Sequence, residues 1–157
     1  MNMMQFPLED LLPHRPPMVL IDGVESFDAA KMRLVARVTI TESQLFYTAG
    51  GVPNWVAVEY MAQAAAALVG VHDKHLAPDR PVRPGLMLGT RRLDLRLARF
   101  EAGKTYRVVA ENVFNDADAA SFACRIEDEA GETVAAATLN AYRPPDMEQF
   151  MKEQTKT

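Results

Sequence analysis

Apolar and polar residues alternate along much of this chain, and the period changes once. In "KMRLVARVTI", Met32, Leu34, Ala36, Val38 and Ile40 fall on one face, with Arg33, Val35, Arg37 and Thr39 on the other. That period of two marks a half-buried strand. Upstream, "MVLIDGVESF" from Met18 is apolar and β-branched and predicts a partner strand, with the short polar "DAAK" as hairpin loop. Four further strand-like segments close the chain: "GLMLGTRRLDLRLARF", "KTYRVVAENVF", "AASFACRIEDE" and "ETVAAATLNAY". In the first, Leu93, Leu95 and Leu97 oppose Asp94, Arg96 and Ala98, and "EAG" and "EDEAGE" supply tight turns.

Between the two groups the period lengthens. Gly50 and Gly51 give a flexible lead-in, Pro53 suits a first helical turn, and Trp55 to about His72 has helical spacing. Apolar residues surround this segment on nearly all sides, which predicts a buried helix. Its run Ala64 to Ala67 is small enough to let strands pass very close. Residues 6–13 predict one or two helical turns closed by Pro13, and "HRPPM" must be extended because consecutive prolines remove donors. "DKHLAPDRPVRPG" reads as a proline-rich connection, and residues 146–157 as a polar, loose tail. The order is a short helix, two strands, one long helix and four strands. Such a chain is α+β. An antiparallel sheet of about six strands buries a single helix by curling around it, and this leaves neither apolar face wet.

A chain of 157 residues is one domain by length, here residues 1–157 with a core over about 6–143. Its 48% hydrophobic and 24% charged residues are those of an ordinary soluble domain, and a net charge of -4 argues against nucleic-acid binding. The single cysteine, Cys124, excludes an internal disulfide framework and fits a reducing compartment. The opening "MNMMQFPLEDLLPHRPP" has no basic n-region or apolar h-region, and no apolar run approaches the roughly 20 residues of a membrane span. The expectation is a cytoplasmic protein without signal peptide or membrane span.

Against this background Glu59 stands out, a lone carboxylate within the predicted buried helix. A carboxyl in an apolar site has its pKa raised and can serve as a general acid, while the first helical amides, near Val52 to Trp55, can receive negative charge on a carbonyl oxygen. The alternative is a structural carboxylate satisfied by an arginine or by backbone donors. Gln63, one turn on, shares its face. It holds Glu59, contacts a substrate, or lies at a dimer seam. His14 is either a base, with an imidazole suited to the task, or a hydrogen-bonded structural residue beside the double proline. His72 and His75 lack a third ligand nearby, so they read as favourable charges at a helix C-terminus and not as a metal site. Six arginines against one acid, Asp94, lie between Arg80 and Arg99. They are a docking patch for an acidic protein or a solvated strand face. Cys124 alternates with Phe122 and Ile126 as an inward strand residue.

The segments "LLPHRPPMVLIDGV" and "VEYMAQAAA" resemble the β-hydroxyacyl-acyl-carrier-protein dehydratases of fatty-acid synthesis, whose Leu-Pro-His-Arg and Glu-x-Met-Ala-Gln motifs fall here at Leu12–Arg15 and Glu59–Gln63. "ARFEAGKTYRV" resembles that family's turn into a long strand. "LGTRR" and "GGVPNWV" are similar to a branch of dehydratase-like proteins from aryl-polyene lipid clusters. The resemblance spans residues 8 to about 143 and implies the hot-dog fold. It also implies formation of a trans-enoyl thioester on an acyl carrier protein, with no cofactor or metal. Glu59 and His14 become the catalytic candidates, and Gln63, Val52, Trp55, Gly89 and Arg91 the substrate-binding ones. The family's site lies at a dimer interface, with histidine and glutamate from opposite subunits. Ordinary members carry Gly-His-Phe-Pro before the helix. This chain has Gly50-Gly51-Val52-Pro53, so Gly51 stands in the position of the catalytic histidine. The expectation is therefore a homodimer or heterodimer in which a second hot-dog subunit, or else His14, provides the base. A catalytically inactive structural subunit and a hot-dog acyl thioesterase are the alternatives.

Overall fold

The computed structural model describes residues 7–79, 81–82, 85–116 and 118–156. One short helix, α1 (Leu8–Leu11), precedes the hairpin β1 (Gly23–Asp28) and β2 (Arg33–Thr39). A three-residue strand β3 (Gly51–Pro53) and a 3-10 turn (Asn54–Val56) lead into the long helix α2 (Ala57–Leu76). Strands β4 (Leu86–Leu95), β5 (Arg99–Glu101), β6 (Thr105–Asp116), β7 (Ala119–Glu127) and β8 (Thr133–Tyr142) follow, then helix α3 (Met147–Gln154). Six strands form one antiparallel sheet in the order β1-β2-β6-β7-β8-β4, and α2 packs against β6, β2 and β7. The expected arrangement of one helix against six strands is therefore present.

The alternation in β2 is realised as expected: Leu34, Ala36, Val38 and Ile40 are all completely buried. They meet Tyr60, Met61, Ala64, Ala67 and Leu68 of α2, which are equally inaccessible. Phe100 lies edge-on between Tyr60 and Tyr106, with ring centroids 5.3 and 5.0 Å away. Each such pair adds about 0.5–1.5 kcal/mol beyond simple burial.

Four expectations are corrected. The first strand begins at Gly23, not Met18, because side-chain hydrogen bonds from α2 hold the backbone of residues 18–20 off the sheet. The segment 85–100 is not one strand. It breaks after Leu95, and Arg99–Glu101 pairs instead with Gly51–Pro53 in a separate two-stranded sheet. Nor do the β4 leucines alternate cleanly, since bulges between Met87 and Gly89 and between Arg91 and Asp94 shift the register, and Leu88 and Leu93 are exposed. The C-terminal segment forms α3, capped by the Asp146 carboxylate accepting from the Gln149 amide, with Phe150 against Tyr142.

Gly51 and Gly70 are fixed by close approaches. A β-carbon on Gly51 would stand 2.1 Å from the Phe100 carbonyl oxygen across the β3–β5 pair. One on Gly70 would stand 2.3 Å from the carbonyl oxygen of Leu11, where α1 crosses α2.

Candidate active site

The site is assembled where the segment after α1 meets the start of α2. After α1 the chain turns through Pro13, and the Arg15 guanidinium donates to the carbonyls of Leu12 and His14 at 3.0 and 2.8 Å. This tether turns the His14 ring toward α2, and its Nε2 lies 3.4 Å from Oε1 of Glu59. Glu59 belongs to the first turn of α2. One turn later Gln63 is completely buried and uses both ends of its amide. Its Oε1 accepts from the Leu20 amide at 2.9 Å, and its Nε2 donates to the Met18 carbonyl at 2.6 Å and to Glu59 Oε1 at 3.0 Å. Helix α2 thus grips the segment after the double proline through Gln63, and the same side chain steadies the glutamate. Of the alternatives for Gln63, holding Glu59 is the one observed.

The state of Glu59 differs from the sequence expectation. Hydrogen bonding to His14 lowers its pKa below the ordinary 4.5, and this outweighs the burial that raises it; Gln63 and the charge of His14 act in the same lowering direction. In the single chain the His14 contact favours the carboxylate over the protonated acid. The reason is specific: alanines surround it along α2, but two donors converge on the same oxygen.

His14 and Glu59 both line a cavity of about 500 Å³. Its floor is the α2 stripe Glu59, Ala62, Ala66, Val69 and Asp73, successive steps of three and four on one helix face. The small side chains leave the void. The stripe rises about 21 Å from Glu59 to Asp73 at 1.5 Å per residue. Strand ends from β6, β7, β8 and β4 close the other side, including Asn112, Ala120, Tyr142 and Met87. The far end is polar, with an Arg143–Asp73 ion pair at 3.0 Å. Pairing across 70 residues carries no local signal, so this end was not readable from the sequence.

The remaining expected substrate contacts do not line this cavity. Val52 is buried in the β3–β5 pair, and Trp55 is exposed, edge-on to Phe46 at 5.3 Å. Gly89 and Arg91 lie on β4, the last strand of the sheet. Of the arginine patch, Arg80 and Arg83 lie outside the described residues. Among the described residues no cluster of three or more potential metal ligands occurs, and His72 lines the cavity while His75 is exposed. Cys124 is buried, and burial pushes its thiol up to about 12.

The model of the ApeP-like family, described as ApeP dehydratase, matches residues 6–152. The chain belongs to the ApeP-like dehydratase family. Among curated relatives of this ApeP-like chain, the 3-hydroxyacyl-[acyl-carrier-protein] dehydratase FabZ of Chlamydia pneumoniae is 35% identical over 96 residues, 58% of this chain and 61% of that one. FabZ of Chlamydia trachomatis serovar D is 30% identical over 118 residues, 63% of this chain and 76% of that one. The match thus spans about three fifths of the first curated relatives. Among solved structures, the dehydratase heterocomplex ApeI:P from Xenorhabdus doucetiae superposes with a TM-score of 0.81 at 26% identity, over 93% of this chain and 96% of that one. An HP0420 homologue from Helicobacter felis shares the fold at a TM-score of 0.66 and 15% identity, over 93% and 96% of the two chains. The ApeP-like chain has the hot-dog fold.

Proposed function

We propose that this chain dehydrates β-hydroxyacyl thioesters carried on an acyl carrier protein, as the Glu59-bearing subunit of a pair whose second hot-dog subunit supplies a histidine base. The product is the trans-enoyl thioester, in fatty-acid or aryl-polyene lipid synthesis. The observation that carries the reading is the seating of Glu59, held by His14 and Gln63, at the end of a cavity with an apolar helix floor long enough for an acyl chain. In the reaction the base takes the proton from Cα, the Cβ–O bond breaks, and Glu59 gives a proton to the leaving hydroxyl, which departs as water. A carboxylate must be protonated for that role. Covering the half-exposed glutamate with a second subunit removes water and favours the neutral acid.

Two features favour a base from outside the chain. No side chain fits at position 51, because even a β-carbon meets the Phe100 carbonyl. His14 has its Nε2 turned to Glu59, and its Nδ1, although without a hydrogen-bond partner, is buried away from the surface a substrate would reach. His14 is thus a positioning residue for the carboxyl. The name of ApeI:P speaks of a heterocomplex, and those of the FabZ relatives of an acyl-carrier-protein substrate. Exposed Arg99 lies beside the lead-in to α2, where Asn54 donates to the Leu97 carbonyl at 2.9 Å, and offers an acidic carrier a cationic approach. Carrier-bound chemistry of this kind suits the cytoplasm, and no described helix is long and apolar enough to cross a membrane.

The test is turnover of a β-hydroxyacyl carrier substrate, followed by mass spectrometry. The purified chain alone is nearly inactive, addition of a hot-dog subunit bearing Gly-His-Phe-Pro restores turnover, and Glu59→Gln in this chain abolishes it. Full activity of the isolated chain would overturn the partner half and return His14 to the role of base. An active complex containing Glu59→Gln would make this chain a structural subunit. Release of free acid would make it a thioesterase.

A further inference from the structure

The floor of the cavity changes character once along its length. From Glu59 it runs over Ala62, Ala66 and Val69, and the next step on the same helix face is Asp73. At 1.5 Å per residue the apolar floor spans about 15 Å, and the aspartate stands about 6 Å beyond it. There Asp73 accepts from the Arg143 guanidinium at 3.0 Å, with both side chains partly buried. The pair joins the helix floor to the residue just past β8 and crosses the cavity where its apolar lining stops.

Arg143 is held from three directions. Its backbone amide donates to the Asp118 carbonyl at 2.8 Å, next to the β6–β7 turn. Tyr142 before it closes β8, paired with Leu86 of β4 and Ala119 of β7, and Phe150 of α3 lies edge-on to that ring at 5.8 Å. Pro144 after it is buried, and with Pro145 it keeps the lead into α3 extended. The C-terminal helix therefore braces the position that carries the guanidinium.

A hydrocarbon tail gains from each methylene laid over Ala62, Ala66 and Val69, because that surface is apolar. One step further, a methylene must strip water from the ion pair or push its partners apart. Desolvating or separating partly buried charges outweighs the gain from a methylene. We infer that the Arg143–Asp73 pair is the end stop of the cavity and sets the longest alkyl chain that the site accepts. This rests on the cavity being the acyl site, as proposed above. With carbon–carbon bonds of about 1.5 Å, a zigzag chain gains about 1.25 Å per carbon, so the apolar floor holds about 12 carbons.

The probes are saturated acyl thioesters of N-acetylcysteamine, lengthened in two-carbon steps well past the floor. Their binding to the full chain is read by titration calorimetry. With wild type, Kd falls by up to about fourfold per carbon until the floor is filled near 12 carbons, and then falls no further. Asp73→Ala with Arg143→Ala removes both charges together and leaves neither uncompensated. In that variant the fall continues for about four carbons more, while shorter chains bind as before. Arg143→Lys keeps a cation and with it the wild-type limit. A wild-type Kd that keeps falling well past the floor length overturns the stop and leaves the acyl site in place; this measurement needs no variant. An unshifted break in a folded double variant also overturns it. So does an ω-hydroxy thioester that binds wild type at least about tenfold more tightly than its alkyl counterpart, since the pair is then a receptor for polar ends. Ala66→Leu puts a plug half-way along the floor and weakens every chain long enough to pass it. Were no thioester affected by that plug, the cavity would not be the acyl site, and the proposed function would fail together with the stop.

Discussion

Gln63 gives the sharpest test of how this fold positions its glutamate. Replacement by methionine keeps the side-chain length and fills the same space, but removes all three hydrogen bonds of the amide. The buried Leu20 amide loses its 2.9 Å acceptor, and the partly buried Met18 carbonyl its 2.6 Å donor. Stranding a buried polar group costs about 1–3 kcal/mol, with the lower end appropriate for the carbonyl that water can reach. The third bond, to Glu59, is to a half-exposed carboxylate and adds little. Gln63→Met should therefore lose about 2–4 kcal/mol of stability, or roughly 5–15 °C in Tm for a domain of this size. Urea unfolding followed by far-UV circular dichroism measures this, with an unchanged slope showing that the surface exposed on unfolding is the same. A loss below about 1 kcal/mol would refute the reasoning, since the post-proline segment would then be held by packing alone. Gln63→Glu sharpens the test. It retains an acceptor for Leu20 but sets a second carboxyl about 3 Å from Glu59, and two such groups cannot both ionise. Its folded pKa is raised, so its destabilisation grows as pH rises above the ordinary carboxyl range, whereas that of Gln63→Met stays nearly flat.

Three further outcomes follow from the same geometry. Glu59 has a folded pKa below 4.5, so it stabilises the fold above that pH and the contribution disappears as pH falls through the depressed value. The urea midpoints of wild type and Glu59→Gln accordingly converge on acidification from pH 7 to pH 3; a gap independent of pH contradicts the His14 contact. Gly51→Ala forces its β-carbon against the Phe100 carbonyl and should cost about 3 kcal/mol in thermal unfolding. Gly51→His likewise fails to create a base, and a stable, active Gly51→His chain would count against the β3–β5 pairing. Burial raises Cys124 to about 12, so an aromatic disulfide reagent at pH 8 labels it at the rate of unfolding, and instant labelling would show an open strand.

The sequence was most legible where periodicity is uninterrupted. Leu34 through Ile40 alternate cleanly because one face is entirely core, and the run from Trp55 showed helical spacing because its core contacts recur every three or four residues. It was least legible where tertiary contacts override local pattern. Residues 18–20 have strand composition, but the Gln63 amide claims the Met18 carbonyl and the Leu20 amide, and no local signal announces a partner more than forty residues away. The leucines of β4 alternate in sequence and not in space, because two bulges intervene. Glu59 was legible as a lone charge within the helix, but the direction of its pKa shift was not. The lowering comes from His14, forty-five residues earlier, brought near by the α1–α2 crossing that Gly70 permits.

The void beside Glu59 has a consequence for how such a protein changes what it accepts. The space lies over Ala62, Ala65 and Ala66, whose side chains stop at the β-carbon. Its depth is therefore adjustable one methyl at a time from a single helix face, with the strands left untouched. If the proposed acyl chain lies in this cavity, a few codons along one surface of α2 set the length it admits, while the Glu59 end stays as it is.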